Sequence, residues 1–234
     1  MNNKFYIVGT PIGNMEDITY RAVRILSEVD LVLCEDTRVT KRLLDKYNIK
    51  TPTMSYPADT AKADMQSKRA SKMEKIFEMI SLGKTIAFVS CAGTPAVSDP
   101  GTVLVSDLKT NFPELEIVPI PGPSALTTAL SVSGINTAEF IFLGFLPHKK
   151  GRETLFKEIA VADRTMVFYE SPHRIMKTIA SLIKFAPNKK VVIGRELTKI
   201  FEQILTGTPV KLEEYFIANP DKVRGEFVVL VSGK

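Results

Sequence analysis

Charged side chains gather where apolar runs of this 234-residue chain end. Glu35-Asp36-Thr37-Arg38 follows residues 29–34, Glu170 closes 165–170, and Gly194-Arg195-Glu196-Leu197-Thr198-Lys199 straddles the end of 190–194. Asp99 lies in the loop after 85–89, and Glu226 opens the final run. Carboxylates and a lysine so placed could take up or release a proton. Arg38, Arg174 and Arg195 could grip phosphate oxygens through parallel N–H groups. A structural role competes at two of these positions. Asp36 before Thr37, and Asp99 before Pro100, are good helix-capping signals.

A second kind of stretch carries little charge. Ser90 to Gly101 holds two glycines and two prolines among small residues, between an apolar run and a helical one. Proline pre-sets φ and glycine opens φ > 0, so such a loop holds a specific backbone path that a ligand can approach closely. Gly9-Thr10-Pro11-Ile12-Gly13-Asn14, Pro121-Gly122-Pro123-Ser124-Ala125 and the stretch from Gly194 are of the same kind. Four such loops could converge, since open α/β sheets bind ligands outside the carboxyl ends of their strands.

To bring these residues together the chain needs strands that end side by side. Residues 4–8, 29–34, 51–56, 85–89, 116–120, 165–170, 190–194, 201–205 and 225–232 read as strands, with a further apolar segment at 140–146. Helices read from about 20 (capped by Asp17 or Thr19), then over 39–46, 72–81, 102–108, 124–132, about 152–160, from Pro172, and over 211–218. Residues 57–71 are polar and read as a mobile loop leading into the third helix. Strands alternating with helices predict an α/β fold. The proline cluster at 119–123 predicts a boundary between domains 1–119 and 120–234. No G-x-G-x-x-G fingerprint follows a strand, which argues against an ordinary Rossmann cofactor site.

Composition narrows the class. Apolar residues make up 44% and charged residues 24%, a globular balance. The net charge of +5 permits a nucleic-acid partner without demanding one. No apolar run approaches the roughly 18 residues that mark a membrane span, and the amino terminus does not read as a signal peptide, so a cytoplasmic location is expected. Cys34 and Cys91 form neither a disulfide framework nor a metal pattern, and Cys91 reads as a small buried thiol. His148 and His173 form no ligand pair, so no metal is expected. Ser171-Pro172-His173-Arg174 reads as a helix start that favours an anion. Lys41-Arg42 reads as a solvated face, as do Lys149, Lys150 and Arg152, which could also touch phosphate.

GTPIGN, CEDTR, AGTPxxSDPG, PGPSA, FYESPHR, GRELTK and GEFVVLV occur in that order from Phe5 to Val231. Together they resemble the tetrapyrrole-methylase-fold methyltransferases, and within them the type acting on bacterial small-subunit ribosomal RNA. The resemblance implies two α/β domains with an S-adenosylmethionine crevice between them, usually in a homodimer. It implies donor contacts at Pro11, Cys91, Ala92, Gly93, Val97, Ser124, Ala125, Tyr169, Glu170, Leu197, Thr198 and Gly225. It also implies 2′-O-methylation of a cytidine in the decoding region, on the RNA or the assembled subunit, with Glu35, Asp36, Arg38, Glu196 and Lys199 handling substrate and proton. The family usually has aspartate where this chain has Cys91. A small-molecule substrate such as a tetrapyrrole, and a catalytically silent nucleotide-binding module, are the alternative readings.

Overall fold

Alternating apolar runs and amphipathic stretches become two five-stranded sheets, one in each of two compact units, Met1–Ser124 and Ala125–Lys234. The structure, a computed structural model, describes residues 4–56, 63–98 and 101–233, with the backbone alone for 63–68.

The first unit runs β1 (Lys4–Val8), α1 (Tyr20–Glu28), β2 (Leu31–Cys34), α2 (Thr37–Lys46), β3 (Thr53–Ser55), α3 (Ala63–Ser81), β4 (Ile86–Val89), α4 (Gly101–Asn111) and β5 (Glu116–Ile120). Its sheet has the order β3-β2-β4-β1-β5, and every neighbouring pair is parallel. Parallel sheets are covered on both faces, which is why β2 and β4 are apolar and buried throughout. Ala22, Ile25 and Leu26 of α1 and Leu44 of α2 pack on one face with Val8, Val32 and Val89. Met73, Ile76 and Ile80 of α3 and Leu104 and Leu108 of α4 pack on the other with Phe5, Leu33 and Phe88. The chain leaves β1 toward β2 and leaves neighbouring β4 toward β5, in opposite directions across the sheet. Open sheets place ligands at such reversals.

The second unit runs α5 (Ala125–Val132), β6 (Phe140–Phe145), α6 (Arg152–Val161), β7 (Thr165–Glu170), α7 (Ile175–Phe185), β8 (Val191–Arg195), β9 (Gln203–Gly207), α8 (Pro209–Ala218) and β10 (Phe227–Val231). Its order is β6-β7-β10-β8-β9, with β6 and β7 parallel and the other pairs antiparallel. Phe156, Ile159, Phe168, Ile175, Ile179, Leu182 and Val229 form its core.

Three expectations change here. Residues 63–71 are not a loop but the first turns of α3. They contain no Gly or Pro, and the Arg69 side chain ties the turn down, donating to the Tyr56 hydroxyl (3.0 Å) and to Asp107 (2.5 Å). Residues 57–62, Asp99 and Pro100 lie outside the described residues. Pro172 does not open α7. It sits in a turn whose Ser171 carbonyl accepts from the Arg174 and Ile175 N–H groups, and the helix begins at Ile175. The strand expected at 201–205 is β9, two residues later.

Candidate active site

In the first unit the loops after β1, β4 and β5 are laced together through the backbone. The Gly9 N–H donates to the Ile120 carbonyl (3.0 Å), and Thr10 and Gly93 exchange N–H···O bonds of 2.9 and 3.1 Å. The Thr10 hydroxyl reaches the Ser90 carbonyl (3.4 Å), and the Thr94 hydroxyl reaches that of Pro123 (3.2 Å). Gly9 and Gly122 touch so closely that a Cβ on Gly9 would stand 2.8 Å from the Gly122 Cα. Ala96 and Ser98 adopt left-handed backbone (φ 65° and 63°), a conformation that non-glycine residues rarely take. The result is a preshaped rim of small residues. Pro11 and Ser124 are half-buried, Gly93 is buried, and Cys91, Ala92 and Val97 are exposed.

Beside this rim, β2 ends next to β4, bringing Glu35 and Asp36 close to Cys91. The Asp36 carboxylate caps α2, accepting from the Arg38 N–H (2.8 Å), and pairs with the Arg38 guanidinium (2.6 Å). That side-chain bond holds the Asp36 carboxyl at about 2. Cys91 is exposed, not buried: its loop turns outward two residues beyond the end of β4. Its thiol pKa is nonetheless raised, by partial desolvation and by the charges of Glu35 and Asp36. Both effects disfavour the thiolate, the form in which a cysteine acts as a nucleophile.

In the second unit, Glu170 and Arg195 both pair with Phe227 of β10, so the ends of β7 and β8 and the start of β10 lie at one end of the sheet. Lys199 bridges Glu196 Oε1 and Glu226 Oε2, each at 2.8 Å. The Glu226 N–H donates to the same Glu196 oxygen (2.9 Å). Partial burial works against the Lys199 charge, but the bonds it donates to the two carboxylates outweigh it and raise its pKa. Burial likewise opposes the Glu196 charge, and the Lys199 ammonium and Glu226 N–H prevail to lower its pKa. Glu196 and Thr198 take positive φ (50° and 66°), which folds the turn back to make this contact. Gly225 (φ 95°) lies under Glu196, where a Cβ would meet its side chain at 2.5 Å. Leu197 is buried beside Gly194.

Glu170 is 2% exposed. Its carboxylate takes Arg174 Nε (2.7 Å), the Thr178 hydroxyl (2.6 Å) and the Ser171 N–H (2.8 Å), with Arg152 at 3.6 Å. A donor contact at Glu170 would therefore use its backbone. Arg174 and Arg195 do not present themselves to phosphate. Arg174 also serves the Leu146 carbonyl, and Arg195, 5% exposed, serves the carbonyls of Arg224 and Phe201. Arg152 turns inward, its guanidinium on the Thr178 hydroxyl (2.6 Å). Tyr169 stacks edge-on with Phe142. Gly9, Thr10, Gly122 and Thr178 shape these sites, and of these Thr178 alone went unread in the sequence. The Gly9 and Gly122 motifs were visible, but their mutual contact was not.

Solved structures share this architecture. The methyltransferase CobJ superposes with a TM-score of 0.67 at 19% identity, covering 99% of this chain and 94% of that one. A cobalt precorrin-4 methyltransferase, CbiF, gives 0.66 at 18%, covering 98% and 94%. At such identities the likeness defines the fold. The family model for tetrapyrrole (corrin/porphyrin) methylases matches residues 4–212, and the chain belongs to that family. Among its relatives, the ribosomal RNA small subunit methyltransferase I of Thermotoga maritima is 42% identical over 231 residues, spanning 99% of each chain. The protein of that name from Bacillus subtilis is 39% identical, spanning 97% of this chain and 74% of that one.

Proposed function

We propose that this chain is an S-adenosylmethionine-dependent methyltransferase acting on the 2′-hydroxyl of a cytidine in the decoding region of 16S ribosomal RNA. The observation that carries the reading is the similarity, at about 40% identity over nearly all of this chain, to relatives named for small-subunit ribosomal RNA methylation. That shared name favours RNA over a tetrapyrrole.

The loop rim fits a donor with an adenine, a ribose diol and an amino-acid tail. Backbone N–H and C=O groups suit such edges, and the Gly9–Gly122 contact leaves them no side chains to displace. In the first unit Pro11, Cys91, Ala92, Gly93, Val97 and Ser124 hold the donor. When bound, the donor supplies a methyl carbon made electrophilic by its positive sulfur. The chain's own residues align the hydroxyl and manage its proton. Glu35, Asp36 and Arg38 handle the substrate at the end of β2. Lys199, kept cationic by Glu196 and Glu226, steadies negative charge and does not serve as the base. The proton passes to a carboxylate of this strand-end set. We further propose a cytoplasmic homodimer. Among the described residues no helix is long and apolar enough to cross a membrane.

The test combines purified protein, methyl-labelled S-adenosylmethionine and small ribosomal subunits lacking the modification, followed by alkaline hydrolysis. A methylated 2′-hydroxyl cannot attack the adjacent phosphate, so label is expected in an alkali-resistant dinucleotide. Donor binding without RNA labelling, beside a working control enzyme, would overturn the RNA reading.

A further inference from the structure

Helix α2 starts immediately after Glu35 and Asp36, and its two faces differ sharply. Thr40, Leu43 and Leu44 are buried and fix the helix on the sheet. The outward side carries Arg38, Arg42 and Lys46 at successive i, i+4 positions, with Lys41 one turn from Arg38. All four are exposed, and the acid interleaved among them is Asp45. Asp36 neutralises Arg38, but among the described residues Lys41, Arg42 and Lys46 form no ion pair. On the other helices, among the described residues, unpaired bases such as Arg21, Lys109 and Lys211 are scattered, and several bases are paired. Arg24 pairs with Glu28, Lys157 and Lys184 with Glu153, and Arg69 with Asp107. A charge set that neither folds the helix nor is balanced locally suits an anionic partner.

We propose that this face of α2 docks the phosphate backbone of the ribosomal RNA beside the target ribose. The inference rests on the RNA reading above and adds to it the surface that meets the RNA. From Arg38 to Lys46 the helix rises about 12 Å, long enough to meet more than one phosphate of a strand. The bases are preordered by the buried face, so little backbone entropy is lost on binding. The row begins at the strand-end motif proposed to handle substrate, so RNA held along it enters the site from one defined side. Lysine and arginine contacts of this kind position a nucleic acid and make binding salt-dependent without reading its sequence.

The experiment uses the full chain and the triple variant K41A/R42A/K46A, which leaves Arg38 intact. It measures affinity for unmodified small subunits across a salt series, donor affinity, and methyl transfer. The variant should bind RNA at least tenfold more weakly and transfer methyl correspondingly less at limiting RNA. The log–log salt slope should fall by about 2, and donor affinity should not change. The variant K41R/R42K/K46R should restore binding, and K157A/K184A on the second unit should behave as wild type. RNA affinity and salt slope unchanged in the triple variant, while wild type methylates, would overturn the docking surface and leave the RNA reading standing. Wild type that binds donor but neither binds nor methylates RNA would overturn both. Loss of binding to anionic phospholipid vesicles with RNA binding intact would assign the face to a membrane surface and overturn the proposal.

Discussion

The loops after β1, β4 and β5 and the sheet end shared by β7, β8 and β10 reach fixed shapes by opposite means. The first is built from main chain: paired N–H and C=O groups at Thr10 and Gly93, and glycine against glycine at Gly9 and Gly122. The second is built from charge: Lys199 between Glu196 and Glu226, and the buried Glu170 among Arg174, Arg152 and Thr178. A main-chain site tolerates changes of salt and pH but not an added atom. A charged site tolerates changes of shape better than the loss of one partner.

The largest test of that contrast is Glu170→Ala. It strands Arg174, 14% exposed at its side chain, without its carboxylate. Breaking one side of a buried pair costs about 3–5 kcal/mol, read as a lower urea midpoint. A near-wild-type midpoint would mean that this sheet end does not depend on charge. Next is Lys199→Met, which, on the proposed role of Lys199 in steadying charge during transfer, should leave donor affinity nearly unchanged and lower methyl transfer about a hundredfold. Single-turnover kinetics separate the two readouts. In the first unit, Gly122→Ala places a Cβ 2.9 Å from Gly9 backbone atoms, which no rotamer can relieve. It should cost about 1–3 kcal/mol, as overpacking does, and weaken donor binding by calorimetry, with no dependence on salt. Salt-sensitive loss there would collapse the distinction between the two regions.

The main-chain region was the more legible in the sequence, because glycine and proline announce backbone requirements locally. GTPIGN, AGTP and PGPSA could be read as shaped loops before any fold was in hand. The contact of Gly9 with Gly122 could not, since it joins residues 113 positions apart. The charged region was legible in its members but not in its pairings. Glu170, Arg174 and Arg195 looked like ligand groups, and the fold turns their side chains on one another or on buried carbonyls. Residue type shows that a charge is present. Which partner takes it depends on the neighbouring strand, as with Phe227 placed opposite both Glu170 and Arg195. Helix α3 was missed over 63–71 for a related reason: its polar surface hides an anchor, Arg69 on Tyr56 and Asp107, that is not local in sequence.

The smallest effect lies where the two building methods meet, at Asp36. This carboxylate belongs to the main-chain unit, where it caps α2, yet it also forms an ion pair with Arg38. Its folded pKa of about 2 is below the ordinary value of 3.8. A depressed carboxylate adds stability that is complete above its unfolded pKa and disappears as pH falls through the folded one. The contribution should therefore fade between about pH 4 and pH 2. Asn is as good a cap as Asp, so Asp36→Asn keeps the bond to the Arg38 N–H and removes only the charge. Urea midpoints of the two proteins should differ slightly at pH 5 and draw together as pH falls toward 2, as Asp36 takes up its proton. Midpoints that run parallel throughout would show that Arg38, 86% exposed at its side chain, is not held by Asp36 in solution. It would then stand with Lys41, Arg42 and Lys46 as a fourth unpaired base on the outward face of α2.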